Sequence, residues 1–166
     1  KIKHTAYTAE SLLRNKVLAE RFEGGYLWLY RLCVDDYHRY IYIDDGEESR
    51  HIRIPGVLHT VNPVANDVYP IYKENTREYS LLRSRHFGTV LMMEVGALMV
   101  GKIENHSESS SVKRGQEKGN FAFGGSTIIL MTQKDKVLPD QDILKNSRRG
   151  IETRVHLGEK TGYCPQ

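Results

Sequence analysis

The chain has 166 residues, 39% of them hydrophobic and 27% charged, which suits one compact domain with an apolar core over residues 1–166. Its 24 basic and 21 acidic residues leave a formal charge of +3. That balance is too even for nucleic acid as a partner, but it allows a locally basic mouth facing an anionic head group. The longest apolar stretch, Val90 to Met93 with Val95 to Val100, is broken by Glu94. It falls short of the roughly 18 residues that cross a bilayer, so any membrane contact is expected from the side.

Cys33 and Cys164 are far apart and form no metal-ligand pair; they read as free thiols in a reducing compartment. The first residue is Lys1 and no secretory apolar segment follows it, so the chain reads as a fragment or a processed product.

Taken in order, residues 8–23 predict one helix. Thr8 is the N-cap, Leu13, Val17 and the Leu18/Phe22 pair recur at helical spacing, and Gly24-Gly25 ends it. Strands are expected over 26–34, 39–43 and 51–54, with the acidic run Asp44-Asp45-Gly46-Glu47-Glu48 as a turn. Residues 77–82 and 89–95 read as paired strands joined near Gly88, followed by a strand over 97–104. Residues 105–111 form a serine-rich loop expected to be mobile. Residues 112–119 read as a short hairpin, and 128–131 as a strand. The fold class is therefore α+β, mainly an antiparallel β sandwich or barrel with an N-terminal helix.

Four segments stand out. They are Asp35-Asp36-Tyr37-His38-Arg39; Pro55-Gly56 running to His59-Thr60-Val61-Asn62-Pro63; Val95-Gly96-Ala97 with Val100-Gly101-Lys102; and Lys113 to Gly119 running into Gly124-Gly125-Ser126-Thr127. Each alone has a bland reading as a turn, a strand end or a packed histidine. In this order and spacing they resemble the phosphatidylserine decarboxylases, over nearly the whole chain from Ile2 to about Gly158, and the last segment is the most specific.

That resemblance implies a proenzyme. Ser126 attacks the carbonyl of Gly125, converting the amide to an ester. β-Elimination then releases residues 1–125 with a carboxylate at Gly125, and hydrolysis leaves a pyruvoyl group at the new N-terminus of residues 126–166. Gly124 and Gly125 leave room for the nucleophile and tolerate unusual backbone angles. The ketone forms a Schiff base with the amine of phosphatidylserine, and the adjoining amide carbonyl takes up the electrons released with CO2. His38 matches the family histidine implicated in decarboxylation, positioning the carboxylate or managing the proton, with Asp36 and Tyr37 as supporting residues. The family's cleavage base, a second histidine three residues on, is Ile41 here. Its partner aspartate belongs to a segment upstream of Lys1. His59 is the candidate replacement base. Lys102, Lys113 and Arg114 are candidates to meet the phosphate, against a plain solvated role. A peripheral position on the cytoplasmic side of an anionic membrane surface, and a homodimer, complete what the resemblance implies. Three other readings stay open: an inactive fragment or paralogue, a biotinyl or lipoyl carrier module built on the 112–119 hairpin, and a pyruvoyl enzyme acting on a soluble amino acid.

Overall fold

A computed structural model describes residues 8–33, 35–56, 76–96, 102–122 and 127–165. The chain opens with two five-residue helices, α1 (Ala9–Leu13) and α2 (Lys16–Glu20), in place of the single helix predicted over 8–23. Thr8 caps as expected. Its side chain accepts from the Ser11 amide at 3.1 Å, and Ser11 Oγ in turn accepts from the Thr8 amide. The break comes from Asn15, whose side chain accepts from the Leu18 amide at 3.0 Å and so starts a second helix; Asn favours this end role over a helix interior. Arg14 takes a left-handed turn, φ 49°, to allow it. The kink leaves Leu12, Leu13, Leu18, Ala19 and Phe22 buried and turns Val17 out to 74% exposure, against its predicted core role.

These helices cover one face of a seven-stranded antiparallel sheet. Its strands are β1 (Leu27–Arg31), β3 (Gly46–Glu48), β4 (Ile52–Ile54), β5 (Arg77–Ser84), β6 (Gly88–Val95), β8 (Ser111–Val112) and β10 (Thr127–Thr132). The order is β1-β10-β6-β5-β3-β8, with β4 also on β5. Strand β6 is central and buried on both sides, which accounts for its nearly unbroken apolar sequence. Leu91, Met93 and Val95 face the helices beside Tyr79, Ile129 and Met131; Val90 and Met92 face the other way beside Leu82 and Leu130.

A second antiparallel sheet, β2 (Arg39–Ile41), β9 (Glu117–Ala122) and β7 (Lys102–Asn105), runs in the order β2-β9-β7. Its side chains bond to residues on the far face of the larger sheet. The α+β, mainly antiparallel reading therefore holds, as two open sheets and not a closed barrel. Gly119 lies where β9 is pressed hardest: an added Cβ would run into Glu104 O and the Tyr40 hydroxyl.

Three expectations need correction. The acidic run is only partly a turn, because Gly46–Glu48 is a strand and Asp44 and Glu48 are buried. Residues 112–119 are not a hairpin: β8 pairs with β3, whereas β9 pairs with β2 and β7, so this stretch crosses between sheets. The C-terminal helix α3 (Gln141–Arg148) was not anticipated, nor was the small ladder of β11 (Leu138–Pro139) with β12 (Gly162–Tyr163).

Candidate active site

The antiparallel registers place five strand ends in one row. Arg31 pairs with Thr127, Thr127 with Val95, Val95 with Arg77, and Arg77 with Ile54. Each sequence motif starts or stops at this row. The segment Asp35 to Arg39 follows β1, Pro55-Gly56 follows β4, Gly96 follows β6, and Ser126 immediately precedes Thr127. Strand ends as far apart in the sequence as Arg31 and Thr127 thus lie at one end of the sheet because their strands pair. His59, Gly124, Gly125 and Ser126 themselves lie outside the described residues.

The smaller sheet gives a second row. The Phe121 amide donates to the His38 carbonyl at 2.9 Å, Arg39 pairs with Asn120, and Lys102 pairs with Ala122. At this end three links therefore join the same two sheets. Residues 32–38 join β1 to β2, 96–101 join β6 to β7, and 123–126 join β9 to β10. The strands flanking 123–126 are the inner ones of each set: β10 lies between β1 and β6, and β9 between β2 and β7.

His38 is half-buried in the first link. Its Nδ1 lies 2.7 Å from the Asp36 carbonyl oxygen. A carbonyl only accepts, so Nδ1 carries the hydrogen and the neutral ring leaves a lone pair on Nε2. That Nε2 is buried and has no hydrogen-bond partner among the described residues. A buried polar atom without a partner is costly, and here it sits where the motifs converge.

The supporting residues act otherwise than their side chains indicated. Asp36 holds His38 through its main-chain carbonyl, while its carboxylate accepts from the Cys33 amide at 2.7 Å. Tyr37 is 69% exposed, with the Arg39 guanidinium 5.6 Å above its ring. Ile41, at the position of the missing second histidine, is half-buried on β2 next to a bulge. The three phosphate candidates separate. Lys102 lies at the His38 end, exposed and paired with Glu104 at 2.8 Å. Lys113 and the Arg114 amide instead bind Asp45, at the opposite end of β9.

A buried polar cluster between the sheets escaped sequence reasoning. Glu78 and Glu94 face each other directly across β5 and β6, an unfavourable arrangement for like charges unless cations intervene. Lys118, fully buried, reaches in from β9. Its Nζ lies 3.0 Å from Glu94 Oε1, 3.6 Å from Glu48 Oε1 and 2.9 Å from Asn105 Oδ1. His51 lies 3.0 Å from Glu48 and 3.4 Å from Glu78. Tyr42 and Ser80 donate to the Glu48 carboxylate at 2.6 and 2.7 Å, and Asn105 Nδ2 donates to Glu78 at 2.7 Å.

Burial opposes charge on His51, but the Glu48 and Glu78 carboxylates outweigh it and push its pKa up to about 9. Burial likewise works against the Glu48 carboxylate, yet His51, Tyr42 and Ser80 hold it below the usual carboxylate range. For Glu94, burial wins and the pKa rises, despite Lys118 beside it. The one available signal was Glu94 itself, a charge set inside an otherwise apolar strand.

The result is an α+β domain in which the paired strands lead into the four motif segments from one end, with the His38 Nε2 unpartnered among the described residues. The family model for phosphatidylserine decarboxylase matches residues 1–163. Over 161 residues the chain is 49% identical to phosphatidylserine decarboxylase proenzyme 2 of Clostridium acetobutylicum, covering 97% of this chain and 55% of that protein. It is 45% identical over 163 residues to the proenzyme of Clostridium novyi (97% and 55% covered), and 42% identical over 163 residues to that of Fusobacterium nucleatum (97% and 54%). The chain belongs to the phosphatidylserine decarboxylase family, and it spans about half the length of the curated relatives it matches.

Proposed function

We propose that this chain is the catalytic C-terminal part of a proenzyme that cleaves itself between Gly125 and Ser126 and then converts phosphatidylserine to phosphatidylethanolamine. The observation that carries the reading is the single row of strand ends from Arg31 to Ile54, next to which each motif has a segment in the sequence, together with the His38 Nε2, buried and without a partner among the described residues.

In cleavage, Ser126 Oγ loses its proton to a base, for which His59 is the candidate, and adds to the Gly125 carbonyl. The C–N bond breaks in favour of the ester, elimination then frees the Gly125 carboxylate and leaves dehydroalanine at position 126, and water converts its imine tautomer to the ketone with loss of ammonia. The pyruvoyl group formed from Ser126 supplies the electron sink for loss of CO2. The orphaned Nε2 of His38 fits a role beside such a group. With Nδ1–H anchored on the Asp36 carbonyl, Nε2 is the one ring position that can take up a proton and return it to the substrate carbon. Lys102 is the phosphate candidate that remains, because it is the one of the three at this end. Attachment from the side to the cytoplasmic face of an anionic membrane, and assembly as a homodimer, belong to the same proposal. No described helix is long and apolar enough to cross a bilayer.

The test uses the full-length precursor, with denaturing gels and mass spectrometry. Two fragments divided at Gly125–Ser126, the smaller reactive toward carbonyl-trapping reagents, are expected. Ser126→Ala and His59→Ala should each give one uncut band, whereas His38→Ala should cut normally yet release no CO2. Phosphatidylserine should be consumed and free serine left untouched. A wild-type precursor that stays whole and unreactive toward the trap overturns the reading.

A further inference from the structure

The cluster between the sheets has a task that packing alone would not require. Residue Ala122 ends β9 in the smaller sheet, and Thr127 begins β10 in the larger one. The spacing between those ends is set by how the two sheets sit on one another. Near this end, the described side chains that join them are polar. Lys118 of β9 is bound to Glu94 of β6 and Glu48 of β3; Asn105 of β7 is bound to Glu78 of β5; Tyr42, just past β2, is bound to Glu48. Glu94 is the register partner of Ile128, one residue into β10, and Lys118 lies four residues before Ala122 on the strand that leads out of the smaller sheet. The Lys118–Glu94 pair thus ties the strand beside β10 to β9 itself. Both partners are fully buried. Ion pairs in that setting add little net stability over apolar replacements, yet they are demanding in geometry. A lysine fully buried among two carboxylates and an amide oxygen fits a device that fixes position.

On the self-cleavage reading above, we propose that Lys118 is a positioning residue for that step. Through Glu94 and Glu48 it holds β9 against β6, and so holds the strand ends on either side of the bond to be cut. Its partners among the described residues are Glu94, Glu48 and Asn105.

The test compares the full-length precursor with Lys118→Met and with Lys118→Met/Glu94→Gln, scoring cleavage rate per folded molecule and urea stability in parallel. The single change leaves Glu94 without its cation and Glu48 with His51 alone, so lower stability is expected. The double change removes the mismatch at Glu94, and stability should return. Cleavage should remain about 10- to 100-fold slow in the double variant, because the tie between the sheets is still missing and small misplacements are costly to reaction geometry. Amide exchange at Phe121, whose N–H is bonded to the His38 carbonyl, should be faster in that variant. A double variant that regains both stability and the wild-type cleavage rate overturns the positioning role. A wild-type precursor that never cleaves overturns the cleavage reading first, and this inference with it.

Discussion

The two faces of the seven-stranded sheet are closed by different physics. On one, α1 and α2 lay Leu12, Leu13, Leu18 and Phe22 over Leu91, Met93, Ile129 and Tyr79, an apolar seal with no stringent partner requirement. On the other, the part toward β1 and β10 is apolar, around Trp28, Val90 and Leu130. The part toward β3 and β5, under the smaller sheet, is sealed by Glu48, Glu78, Glu94, Lys118 and His51. The first seal tolerates slippage; the second works in one arrangement only. Geometry is therefore held most strictly where the smaller sheet crosses β3, β5 and β6.

The largest effect should come from breaking the second seal from one side. Lys118→Met should cost about 3–5 kcal/mol in urea unfolding, because it strands buried carboxylates. Adding Glu94→Gln should return most of that. On the helical face, Met93→Ala should cost about 3 kcal/mol by opening a cavity, which no charge-neutralising partner change restores. If Lys118→Met is as mild as an exposed lysine change, the contrast between the faces is wrong.

pH sharpens the same contrast. His51 titrates at 6.5 in an unfolded chain and at about 9 in place. The fold favours its protonated form, so this contribution is complete below pH 6.5 and is lost as pH rises through 9. Glu48 and Glu78 are shifted down from 4.5, so theirs is present above pH 4.5 and lost as pH falls. Unfolding curves should fall as pH rises from 6.5 toward 9, and His51→Gln should make that fall shallower, leaving the part that comes from buried Glu94. A wild-type curve that stays flat through pH 9 would contradict the charged cluster. The smallest effect is local to the helical face: Thr8→Ala should cost about 1 kcal/mol by removing the cap of α1, read by thermal unfolding.

Much of this was legible in the sequence. The β5–β6 pair with its turn before Gly88, the Thr8 cap and the strand after Ser126 all follow from local pattern. The helix break at Asn15 was not read, because helical periodicity outvoted a polar residue whose preference is to cap. Residues 112–119 passed for a hairpin, since turn chemistry shows that a chain bends but not which strand it pairs with next. His38 was identified from its motif, yet the carbonyl of Asp36 as its anchor is a backbone fact with no signature in side-chain identity. The cluster around Lys118 stayed hidden for a related reason. Its charges, in isolation, look like a solvated turn and a surface strand, and only long-range register brings them together.

Strand β10 is held on one side by β1 and on the other by β6, and the segment beyond it is fastened by Arg31 to Glu152 and by Tyr30 to Thr161. A nick just ahead of Thr127 would produce two polypeptides but not two bodies. The shorter piece would stay threaded through the middle of the longer one, like a stave in a cask, and part from it only when the whole vessel is unmade.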